Sequence, residues 1–361
     1  MELLNGKEER IVVQDSKTGI GGREREAEIR VEEVGKQVGR LKRGKAPRRD
    51  GLVNEVWIFG TDGMIERLSE LMDDVWTGKG FPREWRVGQI YRIHKKGSKE
   101  KVENYRGITL LNTAYKLYPM VLNERLVTEM NEKRILPENQ AGFRRGRGAM
   151  DNVYILHHLI EKELLKEGGR VYALFVDLRA AFDTVDRECL WECMERRGLS
   201  EKLIVAAREV YRETVTSVRV GGIESEMFWT TKGLRQGCTL SPSLFACYIA
   251  IVVGREKVWC LAFADDLVIL AKDECGMNEM KKNLQRYFKR KKLEVNVEKN
   301  KMIVFRKKGR KGEEKVWRWE DRIIDTVKEF KYLGFKFTTT NTVKAHIRER
   351  RVKAMQIMGM V

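Results

Sequence analysis

The chain is poor in the residues that soft-metal sites and disulfide scaffolds require. It holds only four histidines, and its six cysteines (189, 193, 238, 247, 260 and 275) include no Cys-x-x-Cys pair. That excludes a zinc site of the usual spacing and a disulfide framework. Cys247 and Cys260 lie in apolar runs and read as small buried hydrophobes, which suits a reducing compartment. Five prolines in 361 residues leave no Pro-rich linker, and no internal repeat is visible. The longest apolar run, Leu244–Val253, falls well short of the roughly 20 residues that a membrane-spanning helix needs. Met1–Lys7 has no apolar signal segment, so the expected location is intracellular, in the nucleus, the cytoplasm or both, with no membrane partner.

Negative charge is also in short supply. Lys and Arg number 71 against 53 Asp and Glu, a net charge of +18 and a pI near 9.6. A surface of that sign favours a polyanionic partner, of which nucleic acid is the commonest. At 42% hydrophobic the chain can bury one large core or two smaller ones.

The patterning predicts an α+β fold, because helices and strands do not alternate regularly enough for a doubly wound sheet. The first ~25 residues are expected to be poorly ordered, with partial helix over Glu24–Leu41. Helices are predicted over Leu52–Trp76, Thr113–Glu132, Asp151–Lys166, Asp186–Arg197, from Ser200 onward, Ser241–Val253 and Gly276–Lys292. Strands are predicted at Trp85–His94, Val171–Asp177, Leu293–Val297, Met302–Phe305 and Lys328–Phe337. Gly221–Gly222 joins one hairpin, and Val258–Ala271 forms another.

That second hairpin carries the chain's chemistry. Asp265 and Asp266 are adjacent carboxylates set between apolar runs, where an unpartnered ionised group loses several kcal/mol or more, by rough estimate, on burial. A surface turn is the bland alternative. A third carboxylate, Asp177, ends the apolar strand Val171–Val176. Three carboxylates brought together need divalent cations, and hard oxygen ligands point to Mg²⁺, with Mn²⁺ as a substitute. Two such ions about 4 Å apart serve in-line phosphoryl transfer.

Eight segments, in order, give the chain a family resemblance. They are Lys45-Ala-Pro-Arg-Arg-Asp-Gly51, Asn104-Tyr-Arg-Gly-Ile108, Gln140-Ala-Gly-Phe143, Phe175-Val-Asp-Leu-Arg-Ala-Ala-Phe-Asp183, Gly233-Leu-Arg-Gln-Gly-Cys-Thr-Leu-Ser-Pro242, Phe263-Ala-Asp-Asp266, Leu293-Glu-Val-Asn-Val-Glu-Lys299 and Phe330-Lys-Tyr-Leu-Gly334. Together they resemble a reverse transcriptase of the non-LTR retrotransposon type (LINE-like, jockey/R1-type). The resemblance implies a right-hand polymerase with fingers over 42–170, a palm of antiparallel sheet packed on helices over 171–337, and the start of a truncated thumb over 338–361. Residues 1–41 would be a charged N-terminal extension. The activity implied is RNA-directed DNA synthesis on an RNA template from a DNA primer and dNTPs.

The same resemblance assigns roles. Asp177, Asp265 and Asp266 would be catalytic and would hold two metals, with the Leu178 carbonyl as a further ligand. Lys95 (or Lys96) and Arg106 would close on the triphosphate. Phe182 would exclude ribonucleotides by clashing with a 2′-hydroxyl; a core aromatic is the alternative. Gln236 and Gly237 would meet the nucleotide and template base. Lys299 would approach the leaving pyrophosphate, or simply be solvated. Arg144, Arg145 and Arg147 would track the template. Arg235 would contact a phosphate or the template, or else pair within the fold. Sixteen Lys and Arg against four Glu between Lys281 and Arg318 would grip the duplex, or form a solvated face. The connection Gly254–Lys257 is shorter than the family's, Arg48-Arg49 and Lys292 depart from its pattern, and no endonuclease segment accompanies the core. A catalytically inactive nucleic-acid-binding remnant, an intron-encoded maturase and a viral RNA-dependent polymerase are the competing readings.

Overall fold

The computed structural model describes residues 27–45, 47, 50–95, 97–250, 259–307 and 315–359. Four features of the sequence reading lie outside them: the N-terminal ~25 residues, Arg48-Arg49, Lys96 and the Gly254–Lys257 connection. In chain order the strands are β1 (Val87–His94), β2 (Tyr105–Leu110), β3 (Arg170–Val176), β4 (Val215–Val220), β5 (Ile223–Glu224), β6 (Phe228–Trp229), β7 (Trp259–Phe263), β8 (Asp266–Ala271), β9 (Lys301–Arg306), β10 (Trp317–Trp319), β11 (Arg322–Thr326), β12 (Glu329–Tyr332) and β13 (Phe335–Thr338). The described residues form two compact units, one drawn from those within 137–181 and 249–359, the other from those within 27–136 and 182–248.

The first unit is built on a six-stranded sheet in the order β10-β11-β9-β3-β8-β7. β3 is central, and Val171 to Val176 are all buried, so both faces are covered. That is why the strand reads as an unbroken apolar run rather than an alternation. The helix Ala149–Leu165 lays Val153, Leu156, Ile160 and Leu164 on one face of this sheet, in a core shared with Ile303, Phe305, Tyr332, Phe335 and Phe337. Each such aliphatic or aromatic side chain contributes about 1.5–3 kcal/mol on full burial.

In the second unit a mixed sheet runs β2-β1-β4-β5, with β6 also on β4, and β1 and β4 are parallel. The helix Thr113–Glu132 buries Tyr115, Leu117, Tyr118, Leu122 and Leu126. Trp85 packs against Tyr115 and Tyr118, with ring centroids 6.1 and 5.8 Å apart. The helix Arg187–Arg196 starts as its sequence predicts: the Asp186 carboxylate accepts from the Cys189 N–H at 2.9 Å.

Three expectations are corrected. Leu293–Val297 is not a strand but a loop with one isolated bridge, Leu178↔Val295, because its backbone is tied to the end of β3 at several points instead of running along it. Lys328–Phe337 is not one strand but the hairpin β12–β13, turned at Leu333 (φ 46°) and Gly334 (φ 82°). The six-stranded sheet is not wholly antiparallel, since β9 and β11 run parallel.

The Gln140-Ala-Gly-Phe143 block belongs to the first unit because its backbone pairs with β7. Ala141 N–H donates to the Ala262 carbonyl and Ala262 N–H to the Asn139 carbonyl, both at 2.9 Å. Gly142 lies directly against the β7–β8 turn: a Cβ there would sit 2.0 Å from Ala264 N and 2.8 Å from the Phe263 carbonyl carbon. Backbone cannot yield as a side chain can, so Gly142→Ala is expected to lower the unfolding free energy by about 3 kcal/mol. Urea denaturation measures this, with Gly63→Ala as the opposite-sign control, since that helical site is open and Ala favours a helix.

Candidate active site

The register of the central sheet brings the carboxylates together. β3 and β8 are antiparallel and pair through Val176↔Leu267, so one further step sets Asp177 opposite Asp266. Residues directly opposite in an antiparallel pair share a face, with Cβ atoms about 5 Å apart. Asp265 sits in the two-residue turn between Phe263 and Asp266. Ala264, the other turn residue, adopts a left-handed backbone with φ 58°, a conformation that costs roughly 1 kcal/mol for an L-residue other than glycine.

Like charges at this spacing oppose one another. Burial pushes the Asp266 carboxyl up from 3.8 to about 6, and the charges of Asp265 and Asp177 add to the rise. The residue itself remains exposed, so solvent tempers the energetic weight of that shift. The Lys299 ammonium, carried by the Leu293–Asn300 loop, lies 3.6 Å from Asp177 Oδ2. That loop is clipped to the end of β3. Asn296 N–H donates to the Asp177 carbonyl and Arg179 N–H to the Glu294 carbonyl, both at 2.8 Å. Asp177 N–H donates to Asn300 Oδ1 at 2.9 Å.

A chemical fit to divalent cations follows from this donor set: hard oxygens, an unfavourable anionic cluster and one carboxyl that resists ionisation. Among the described residues no three His, Cys, Asp or Glu side chains are arranged to hold a metal ion between them without rearrangement or further ligands. The first unit thus gathers Asp177, Leu178, Asp265, Asp266 and Lys299. It also contains the Gly/Arg loop, where Arg144 and Arg147 both pair with Glu138 and Arg145 is exposed. In the basic stretch, Lys281 and Lys315 lie over the Trp317 ring, so part of that charge is engaged within the fold.

The remaining candidates lie in the second unit. Lys95 and Arg106 are exposed at one end of the β1–β2 hairpin, where Lys95 N–H donates to the Asn104 carbonyl at 2.8 Å and Arg106 pairs with Ile93. Gln236 and Gly237 dock on β2. Thr109 N–H donates to the Gln236 carbonyl at 2.7 Å, and a Cβ on Gly237 (φ 126°) would lie 2.5 Å from the Thr109 carbonyl oxygen. Only glycine permits both the approach and the backbone angle. Phe182 is half-buried and stacks on Phe245 with centroids 4.5 Å apart.

Arg235 is a correction. It is 6% exposed, its guanidinium donates to the Trp85 and Arg86 carbonyls, and it lies over the Tyr115 ring. It is therefore no phosphate or template contact; it pairs within the fold, with carbonyls rather than with a carboxylate. Two residues escaped the sequence reading. Asp183 holds Gln236, accepting from its Nε2 at 2.9 and 3.1 Å, and Asn152 donates to the Ala262 carbonyl of β7 at 3.1 Å. Asp183 was visible as the last residue of its motif; Asn152 had no signal beyond a polar residue on an apolar helix face.

The chain shares its right-hand polymerase fold with solved telomerase structures. A telomerase of Candida tropicalis in complex with a TWJ fragment of telomeric RNA matches over 78% of this chain and 48% of its own, with a TM-score of 0.52 at 14% identity. The apo enzyme of the same organism gives 0.51 at 12%, over 78% and 53%. A family model described as reverse transcriptase (RNA-dependent DNA polymerase) matches residues 93–337, and the chain belongs to that family. Its relatives include two proteins of Drosophila melanogaster. The probable RNA-directed DNA polymerase from transposon BS is 28% identical over 91% of this chain and 38% of the relative. The RNA-directed DNA polymerase from mobile element jockey is 26% identical over 88% and 36%. The chain therefore spans little more than a third of these relatives, and the non-LTR retrotransposon resemblance is met. No helix among the described residues is long and apolar enough to cross a membrane.

The raised Asp266 carboxyl has a consequence for stability. Between pH 3.8 and about 6 the folded chain holds a proton that the unfolded chain releases. This contribution is present in full below the ordinary value and is lost as pH rises through about 6. In EDTA, Asp266→Asn is expected to melt with wild type near pH 3.5 and above it at pH 7.5; thermal melts across about pH 3.5 to 7.5 give the comparison.

Proposed function

We propose that this chain is the RNA-templated DNA polymerase core of a non-LTR retrotransposon, extending a DNA primer with dNTPs. The observation that carries the reading is the Asp177–Asp266 juxtaposition at the end of β3 and β8, with Asp265 in the adjoining turn. Asp177 and Asp265 would hold two Mg²⁺ ions, or Mn²⁺ in substitution, with the Leu178 carbonyl, and Asp266 would help to position one of them. When bound, the ions supply charge neutralisation for the carboxylates and triphosphate and lower the pKa of the primer hydroxyl. Everything else is positioning and electrostatics by the chain itself. Lys299 stands beside Asp177 as a cation for the departing pyrophosphate. Arg106 and Lys95 present donors suited to the triphosphate.

Phe182 discriminates sugars in this reading. Stacking on Phe245 fixes its ring at the start of the segment after β3, and a fixed ring can reject a 2′-hydroxyl sterically. Gln236, steadied by Asp183, and Gly237 line the nucleotide and template base. Arg144, Arg145 and Arg147 follow the template phosphates, with Glu138 holding two of them in readiness. The templates and primers of such chemistry place the protein inside the cell, in the nucleus, the cytoplasm or both. The segment from 338 onward, with the helix Lys344–Ile357, is the start of a thumb.

Primer extension on an RNA template with dNTPs and Mg²⁺ tests the reading. Asp265→Asn is expected to lower the rate by about 10³-fold, equivalent to ~4 kcal/mol of transition-state stabilisation; a wild type no faster than this variant would leave an inactive nucleic-acid-binding remnant. In the same assay Phe182→Ala is expected to raise rNTP incorporation relative to dNTP by about 10-fold or more, a steric penalty of over ~1.4 kcal/mol. Unchanged discrimination would make Phe182 a core aromatic.

A further inference from the structure

We infer that Asn300 is a positioning residue for Asp177, substituting its side-chain carbonyl for a sheet partner where the central sheet ends; the inference rests on the polymerase reading of this carboxylate. The pairing of β3 with β9 stops at Phe175↔Lys301. The next backbone N–H of β3 that faces this side belongs to Asp177, and no strand residue remains to receive it. Asn300 Oδ1 receives it at 2.9 Å. Because a backbone N–H can only donate, the amide orientation is fixed: the oxygen faces Asp177.

The side chain is itself held rigidly. Asn300 is fully buried, with no exposed surface. Its own N–H donates to the Asn296 and Val297 carbonyls at 3.1 and 3.2 Å, and Asn296 N–H returns to the Asp177 carbonyl at 2.8 Å. Both backbone polar groups of Asp177 are thus taken by one short loop, which also carries Lys299, 3.6 Å from the Asp177 carboxylate. Asn300 Nδ2 has no hydrogen-bond partner among the described residues. A buried amide that leaves its donor unused is unfavourable for stability alone. The position therefore favours the bond to Asp177 over a fully apolar filling. Through that bond Asn300 sets the direction in which the Asp177 carboxylate leaves the sheet, and so its reach toward a cation shared with Asp265.

The test uses the full chain and separates this role from packing. Asn300→Leu keeps the branched skeleton with the same number of heavy atoms, at somewhat greater bulk, and removes the acceptor. Asn300→Asp keeps Oδ1. Ile303→Ala, at a fully buried site on β9, is a packing control that leaves Asp177 untouched. In metal-free protein, Asn300→Leu is expected to speed amide hydrogen exchange at Asp177 by about 10-fold or more, and to weaken Mn²⁺ binding read by EPR by about 10-fold, in the range of losses seen when a residue supporting a metal ligand is removed. In primer extension kcat should fall about 10-fold or more while the KM for dNTP changes less than about threefold. Asn300→Asp should retain the Asp177 protection, and Ile303→Ala should lower the melting temperature without these effects. Wild-type exchange at Asp177 in Asn300→Leu, or equal loss of protection in the Asp and Leu variants, would overturn the inference. A wild type that extends no primer would defeat the polymerase reading instead, and the exchange and Mn²⁺ measurements would still decide the role of Asn300.

Discussion

The structure of the first unit depends on one unfavourable interaction held in place by many favourable ones. Asp177 and Asp266 face each other across adjacent antiparallel strands, where like charges repel. The strands cannot slip to relieve this. A one-residue shift would force close-packed side chains on both buried faces of β3 to repack at once. The hydrophobic packing of Val171–Val176 thus fixes the register, and the register forces the carboxylates together. Burial, with the charges of Asp265 and Asp177 added to it, raises the Asp266 carboxyl to about 6.

Several other features serve the same constraint. Gly142 lets a second backbone lie against the hairpin turn, where any Cβ would collide with Ala264. Ala264 is held in a left-handed conformation at that point, so local strain is balanced by pairing of Asn139–Ala141 with β7. The Leu293–Asn300 loop closes the other flank by taking up the backbone groups of Asp177. Strain and repulsion are concentrated at the site, and rigid flanking structure over-determines it.

How much could be read beforehand varied with how local the signal was. The β7–β8 hairpin, the apolar strand before Asp177 and the Asp186 cap were legible, because each depends on neighbours within a few residues. The β12–β13 turn carried only a faint signal: the apolar alternation shifts phase from Phe330 and Tyr332 to Phe335 and Phe337 across Leu333 (φ 46°), no turn residue by chemistry, and Gly334 (φ 82°). Leu293–Val297 has the composition of a strand, yet its backbone bonds go to the end of β3 rather than along a neighbour. Arg235 carries the charge of a phosphate ligand, but the aromatic cluster of Trp85, Tyr115 and Tyr118 and the Trp85 and Arg86 carbonyls draw it inward. Asn300 looks like any polar residue in a basic stretch until the end of β9 is known.

By itself the sequence determined the family, the α+β class and the identity of the three carboxylates, because these rest on residue type, short-range periodicity and ordered motifs. Tertiary structure decided the rest. It set Asp177 opposite Asp266 across 88 intervening positions and showed that the Gln140–Phe143 block pairs with their hairpin. It also took Arg235 out of solvent and gave Asn300 its acceptor role. The physical reason is that burial, register and hydrogen-bond partnership are properties of pairs distant in the chain, and no local pattern encodes which partner a residue will meet.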